Sequence, residues 1–294
     1  MSTTRTVTSA GVRLAVREHS PAGPGRPTVV LVHGYPDQQE MWDLVVAALP
    51  AHRLHLVTYD VRGAGASDVP ASTGGYRTEL LVEDLAAVLD AVLPAGGRAH
   101  LVGHDWGSVQ LWDAVAVEAE HPRLRGRIAS FTSISGPSLS HTAWLARHPR
   151  GRRWPLLRQL LHSWYVYLFL VPRLPDVLWR RLHRPLGRVV AAKEGLGRGH
   201  WGARLGHDAA HGLNLYRANV VRRLRGPAGM HTEVPVLVVR PTRDAYLTEV
   251  LLEDLDRSCA AVRVERVDAG HWVARTHPDL VAGLVLEQVE RTGS

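Results

Sequence analysis

The stretch Ala99–Gly107, read A-H-L-V-G-H-D-W-G, constrains the fold of this chain more than any other. A short apolar run, His100-Leu101-Val102, ends in Gly103; His104, Asp105, Trp106 and Gly107 follow, and Ser108–Glu120 reads as a helix. The segment is therefore expected to be a strand, a sharp turn and a helix, with the carboxylate of Asp105 at the apex. Glycines stand two residues before and two after it because such a turn leaves no room for a Cβ against the adjoining strand and helix. In the pattern G-x-S-x-G the apex is a serine. An aspartate in its place sets the chemistry that the rest of the chain has to serve.

The segments before the turn alternate in character. Val7–Glu18 carries two β-like stretches around Ser9-Ala10-Gly11, a hairpin signal, and Ser20–Pro27 is a Pro- and Gly-rich loop. Thr28–Val32 is an unbroken apolar run of the kind buried on both faces of a parallel sheet. Met41–Leu49 has helical spacing, His55–Tyr59 reads as a strand, and Thr78–Leu93 as an amphipathic helix with Leu81, Leu85, Val88, Leu89 and Val92 on one face. Arg127–Ser133 is a further strand. Strand and helix alternating in this way predict an α/β fold with a mostly parallel sheet, whose strand C-termini share one edge where ligands bind.

After Ser135-Gly136-Pro137 the alternation stops. From Ser138 to about Gly229 the pattern is helical, punctuated by Pro149, Pro155, Pro172, Pro175 and Pro185, and nothing in it reads as strand. The α/β signal then resumes with a strand at Val234–Arg240, a helix at Glu249–Asp256, a strand at Val262–Val267 and a terminal helix at Pro278–Arg291. The expected organisation is one core, residues 1–137 and 229–294, interrupted by an all-helical lid at 138–228.

Composition narrows the classes. The net charge is +7, and Lys193 is the sole lysine, so the positive charge is arginine. Such a balance suits a nucleic-acid or acidic-membrane surface. Compositional bias explains it better at this level, since no basic run is interleaved with aromatics and the densest ones, Arg147–Arg153 and Arg180–Arg188, contain Pro and Gly. No nucleic-acid partner is expected. Cys259 stands alone, so no intrachain disulfide forms. No apolar signal core opens the chain, and its most apolar window, Trp164–Val171, falls far short of the ~18 residues that cross a bilayer; the expectation is a cytoplasmic protein without a membrane span. His200, His207 and His211 do not match a metal-ligand spacing, and no metal is expected.

An elbow nucleophile needs an acid and a histidine later in the chain, each just after a strand. Asp244 follows the strand Val236–Arg240, and His271, in Ala269-Gly270-His271-Trp272, follows Val262–Val267. The loop Ser135-Gly136-Pro137-Ser138 offers no carboxylate as an alternative, and Asp268 reads as a turn former.

With these residues assembled, the chain resembles the α/β-hydrolases over essentially its whole length, and among them the epoxide hydrolases. The matching pieces are His33-Gly34-Tyr35-Pro36, the loop Tyr59–Ser67, the elbow Gly103–Gly107, Asp244 and Gly270-His271. In the lid, Leu213-Asn214-Leu215-Tyr216-Arg217 is similar to the family's N-W-Y-R motif, with Leu215 in place of the tryptophan, and Ser163–Tyr167 is similar to the segment carrying the other lid tyrosine.

An aspartate attacking an ester gives a strained anhydride, whereas at a saturated carbon it forms a stable alkyl ester and needs no base. The resemblance implies Asp105 as nucleophile, His271 as the base that activates water against the ester, Asp244 as its acid partner, and the backbone N–H groups of Tyr35 and Trp106 as an oxyanion hole. It implies Tyr216 and Tyr165 as proton donors to the epoxide oxygen, with Tyr167 a competitor for the second place. Tyr35, Trp106, Tyr165, Tyr216 and Trp272 are the expected contacts of an apolar epoxide. Water is the second substrate and no cofactor is implied. A haloalkane dehalogenase using the same aspartate is the alternative, disfavoured by Tyr35 and the lid tyrosines; a non-catalytic ligand receptor of this fold is a further one, disfavoured because no triad member is missing.

Overall fold

Thr28–Val32 shows how the sequence pattern becomes architecture. All five residues are buried, and the pleat sends alternate side chains to opposite faces. Val30 and Val32 enter one hydrophobic cluster, while Val29 and Leu31 enter the other. An unbroken apolar run is what a strand sandwiched between two helix layers requires.

The computed structural model describes residues 2–197, 199–226 and 229–293. Eight strands, β1 (Thr3–Ser9), β2 (Val12–Glu18), β3 (Thr28–Val32), β4 (His55–Tyr59), β5 (Ala99–His104), β6 (Ile128–Ile134), β7 (Val236–Pro241) and β8 (Val262–Val267), form one sheet in the order β1-β2-β4-β3-β5-β6-β7-β8. β1 and β2 make the expected hairpin, and β2 runs antiparallel to β4. β3 to β8 are parallel throughout.

Among the described residues ten α-helices accompany them: α1 (Asp43–Ala48), α2 (Thr78–Val92), α3 (Trp106–Val117), α4 (Leu139–Arg147), α5 (Arg153–His162), α6 (Trp164–Leu170), α7 (Leu174–Glu194), α8 (Leu205–Arg225), α9 (Val273–Thr276) and α10 (Pro278–Thr292). Leu81, Leu85 and Leu89 of α2 and Leu111 and Trp112 of α3 fill one cluster; Val45 of α1 and Val281, Val285 and Val289 of α10 fill the other. Five consecutive helices, α4–α8, lie between β6 and β7 without a strand among their described residues. The end of the lid expected at residue 228 lies outside the described residues. No helix among the described residues is long and apolar enough to cross a membrane.

Two details differ from the sequence pattern. The helix expected at Glu249–Asp256 is two 3₁₀ turns, Glu249–Leu252 and Leu255–Arg257. Between them Glu253 is extended and Asp254 takes a left-handed conformation, φ +60°. Tertiary partners hold that break: Arg152 pairs with Glu253 and Asp254, and His141 bonds the Glu253 carbonyl at 2.9 Å. Pro185 does not end α7 but lies inside it, and the helix leaves helical geometry at Leu182 (φ −116°, ψ 18°). A proline ring presses on the preceding turn, and a kink one turn before it relieves the contact.

Candidate active site

The parallel strands deliver their C-terminal loops to one edge. Loops after β3, β5, β7 and β8 carry Tyr35, Asp105, Asp244 and His271, and the sheet order sets these strands within a few positions of one another. Asp105, between β5 and α3, has φ 51° and ψ −121°, a conformation uncommon for a residue with a Cβ. Close packing imposes that turn. A Cβ on Gly107 would stand 2.1 Å from the Val32 carbonyl oxygen, and one on Gly103 2.7 Å from the Ser108 backbone. A Cβ on Gly34 would stand 2.5 Å from Asp105 Oδ1, so the Tyr35 loop can close on the carboxylate only with glycine there.

The Tyr35 N–H donates to Asp105 Oδ1 at 2.7 Å. The Trp106 N–H, expected beside it, makes no hydrogen bond to the carboxylate, although it opens α3 next to it. His33 shapes the loop: Nδ1 donates to the Gly34 carbonyl and Nε2 accepts from the Val61 N–H, each at 2.9 Å.

His271 Nε2 lies 3.7 Å from Asp105 Oδ2, and its Nδ1 lies 2.9 Å from Asp244 Oδ2. Asp244 is fully shielded, and its other oxygen accepts the N–H groups of Tyr246 (2.8 Å) and Leu247 (3.1 Å). Asp268, by contrast, is exposed and pairs with Arg243. Burial alone would push the Asp244 carboxyl up, but the His271 charge and these bonds hold it below the ordinary carboxylate value. Burial likewise works against a charged His271; the Asp244 charge and the bonds to Asp105 and Asp244 outweigh it and raise the imidazole to about 10. At neutral pH the free site thus holds an imidazolium between two carboxylates.

Above this group is a cavity of ≈ 230 Å³. Asp105 and His271 form its floor; aromatic and aliphatic side chains of α6 and α7, with Tyr216 of α8, form its walls. Tyr35, Tyr165, Tyr216 and Trp272 line it as expected. Trp106 does not: its indole is buried behind Tyr216, ring centres 4.9 Å apart, so the phenol stands between it and the cavity. Tyr165 and Tyr216 face each other at 6.2 Å between centroids. Tyr167, the alternative to Tyr165, is 52% exposed on the outer side of α6. Burial foremost, then the Asp105 charge, raises both cavity phenols well above the usual tyrosine value, so both keep their protons.

A family model described as the α/β hydrolase fold matches residues 27–278. The chain belongs to the α/β-hydrolase family. Epoxide hydrolase A of Mycobacterium tuberculosis is 30% identical, the match covering 97% of this chain and 96% of that protein. A probable oxidoreductase, EphD, of the same species is 33% identical over 287 residues; the match covers 94% of this chain but 47% of EphD, so the chain spans about half the length of that relative. Among solved structures, an epoxide hydrolase of Bacillus megaterium in complex with an inhibitor superposes with a TM-score of 0.80 at 20% identity, covering 97% of this chain and 100% of that one; that likeness is one of fold.

This α/β-hydrolase also brings to the site residues that motif reading passed over. Tyr246 lines the cavity, and its ring packs 4.9 Å from the His271 ring and 5.2 Å from Tyr165. Glu194, at the end of α7, accepts the His271 backbone N–H at 3.1 Å, and burial raises its carboxyl above the ordinary value. His104 bonds the His271 carbonyl at 3.0 Å. Arg217 binds both Asp176 oxygens and the carbonyls of Phe169 and Val171, which fixes the end of α6 against α8 and so sets Tyr165 beside Tyr216. No isolated sequence signal marks Tyr246 or Glu194, because the ring contacts of the first and the His271 N–H bonded by the second lie far along the chain.

Asp37 is the largest omission. Buried one residue past Pro36, it receives Trp201 Nε1 (2.7 Å), Trp272 Nε1 (2.7 Å) and His200 Nε2 (3.0 Å). Burial raises its carboxyl, but the bond and charge of His200 and the remaining partners bring it down to about 2. The carboxylate thereby holds two tryptophans of the cavity wall, whose rings meet edge to face at 5.5 Å. Asp37→Ala is expected to leave these buried donors unpaired at about 1–3 kcal/mol apiece, lowering the thermal midpoint by several degrees. Because the native value is depressed, the stabilisation is complete at neutral pH and is lost as pH falls from 3.8 toward about 2. Denaturation curves of the variant and parent at pH 7 check this.

Proposed function

We propose that the protein hydrolyses an apolar epoxide to a vicinal diol through an alkyl ester on Asp105. The observation that carries this reading is the pair of protonated phenols, Tyr165 and Tyr216, in an apolar cavity whose floor is a carboxylate nucleophile paired with a histidine. The kinship to epoxide hydrolase A supports it. Helices α4–α8 act as the lid that carries the phenols.

In the first step Asp105 Oδ2 attacks an epoxide carbon, the C–O bond breaks, and the departing oxygen takes a proton from Tyr165 or Tyr216. Oδ1, already bonded to the Tyr35 N–H, becomes the ester carbonyl. In the second step water attacks the ester carbon of Asp105 and yields its proton to His271 Nε2. Negative charge builds on Oδ1, where the Tyr35 N–H is in place and the Trp106 N–H, at the start of α3, is the second donor proposed; one such donor is worth about 3–4 kcal/mol in the transition state. The ester then breaks, the diol alkoxide takes that proton from His271, and the second proton of the water passes from the new Asp105 carboxyl to His271, which restores the carboxylate, now with one oxygen from water, beside an imidazolium.

The two steps are coupled through charge. In the free enzyme the Asp105 carboxylate helps keep His271 protonated. Esterification removes that charge, so the imidazolium gives up its proton, which restores the phenol deprotonated in ring opening, and the neutral ring can act as a base. Asp244 remains to orient the ring and stabilise its cation.

A single turnover with excess enzyme in ¹⁸O water tests the covalent route. The first diol formed is expected to be unlabelled, with the heavy oxygen retained on the peptide containing Asp105. Labelled diol in that turnover would mean direct attack by water.

A further inference from the structure

The lid helices present an outer surface that the catalytic reading leaves unexplained. Of the seventeen large apolar side chains that are exposed among the described residues, eleven fall within residues 154–189. They are not scattered along these helices. On α5, Trp154, Leu157 and Leu161 recur at i, i+3 and i+7 and so share one face, with Trp154 68% and Leu161 65% exposed. The opposite face is the one that is anchored: Gln159 bonds the Tyr246 carbonyl and the Thr248 N–H at 2.9 and 2.7 Å. On α6, Tyr165 and Phe169 point into the cavity while Tyr167 points out. Trp164 does both, lining the cavity and remaining 63% exposed, so the cavity opens at this surface.

Charge follows the same segment. Residues 147–193 carry ten arginines and Lys193 against one acid, Asp176, a net +10, whereas the whole chain is +7 and the remainder therefore −3. Asp176 is itself taken up by Arg217. Arg153 and Arg158 on α5, and Arg181, Arg184 and Arg188 on α7, are exposed and have no carboxylate partner among the described residues. The basic runs that composition bias could explain thus lie on the same helices as the exposed apolar side chains.

We propose that the outer face of α5–α7 docks on an anionic phospholipid bilayer, with Trp154, Leu161 and Trp164 in the interface and the arginines on the headgroups. Exposed tryptophan and leucine flanked by arginine suit that boundary, where apolar side chains reach the acyl region and cations meet lipid phosphate. A second copy of the chain is a poorer occupant, since it would press two segments of net +10 together. Nucleic acid would meet the arginines and leave the leucines and valines without an apolar partner. The proposal rests on the epoxide reading only for what enters: an apolar substrate dissolved in the bilayer would meet the cavity mouth directly.

Vesicle co-sedimentation of the full chain tests it without any turnover, so its outcome is separate from that of the epoxide chemistry. Vesicles of phosphatidylglycerol and phosphatidylcholine are expected to deplete the protein from solution. Phosphatidylcholine alone is expected to bind at least about tenfold more weakly, and salt near about 0.5 M should weaken the mixed-vesicle binding. Arg181→Glu/Arg184→Glu and Trp154→Ser/Leu161→Ser are each expected to reduce binding by about tenfold or more, with unchanged thermal midpoints and unchanged turnover of a water-soluble epoxide. Three results would overturn the proposal: no binding to the mixed vesicles, equal binding to both vesicle types, or no effect of either double substitution. A dimer in sedimentation velocity that Trp154→Ser/Leu161→Ser dissociates, with no vesicle binding, would assign the face to self-association instead.

Discussion

His271→Gln is expected to stop turnover after the first chemical step and leave the substrate on the enzyme. Glutamine keeps much of the volume beside Asp244 but cannot take a proton from water. The first step needs only the Asp105 anion and a phenol, so the ester should still form. Intact-mass measurement after mixing with an aryl epoxide should show one substrate mass added, and digestion should place it on the peptide containing Asp105. General-base catalysis contributes about 10²–10⁴-fold, so ester hydrolysis should slow at least into that range. Normal turnover by the variant would remove His271 from the mechanism.

A pH series on the parent enzyme completes the test. Hydrolysis of the ester needs neutral imidazole, so its rate should rise with pH and then level off. In the free enzyme the imidazole titrates near 10 because Asp105 and Asp244 both favour its charged form over the opposing effect of burial. With Asp105 esterified, its share of that support is gone while burial persists, so the plateau should be reached below pH 10. Single-turnover rates of ester breakdown would show it, and a plateau at or above 10 would contradict the coupling.

The second large effect is expected from the paired phenols. Tyr165→Phe/Tyr216→Phe removes both protons that can meet the departing oxygen while leaving the apolar walls in place. Alkylation of Asp105 should fall by about 10²–10⁴-fold. Hydrolysis of an ester already formed should be little changed, because that step uses Tyr35, His271 and Asp244. Each single variant should lose less than the double, since the remaining phenol is within the same aromatic group at 6.2 Å. Equal losses in both steps would instead assign the tyrosines to packing. Rapid-quench measurement of alkylation and hydrolysis separates the two outcomes.

Much of this site was legible because its chemistry is local in the chain. Asp105 stands on a turn whose glycines are forced by contacts of 2.1–2.7 Å with the neighbouring backbone, and such contacts leave a written pattern. Asp244 and His271 could be chosen because each follows a strand of a parallel sheet, and parallel strands bring those loops to one edge. The helix read at Glu249–Asp256 failed for the opposite reason. Its apolar spacing is real, and Val250, Leu251 and Leu255 are buried, but Arg152 and His141, about a hundred residues earlier, hold the backbone open at Glu253 and Asp254.

Tyrosines 165 and 167 draw the same line. Two residues apart on one helix, they differ only in which way they face, and the sequence left both open. The packing of α6 against α8, locked by Arg217, turned Tyr165 inward and Tyr167 to solvent. Asp37, Glu194 and Tyr246 belong to the site through partners between two and well over a hundred residues away. The sequence by itself determined the layered parallel sheet, the elbow and its aspartate, since periodicity and steric crowding act between near neighbours. Only the tertiary structure decided which phenols meet over Asp105 and which carboxylate pins the tryptophan walls. Those choices depend on how distant helices pack, and no single segment encodes them.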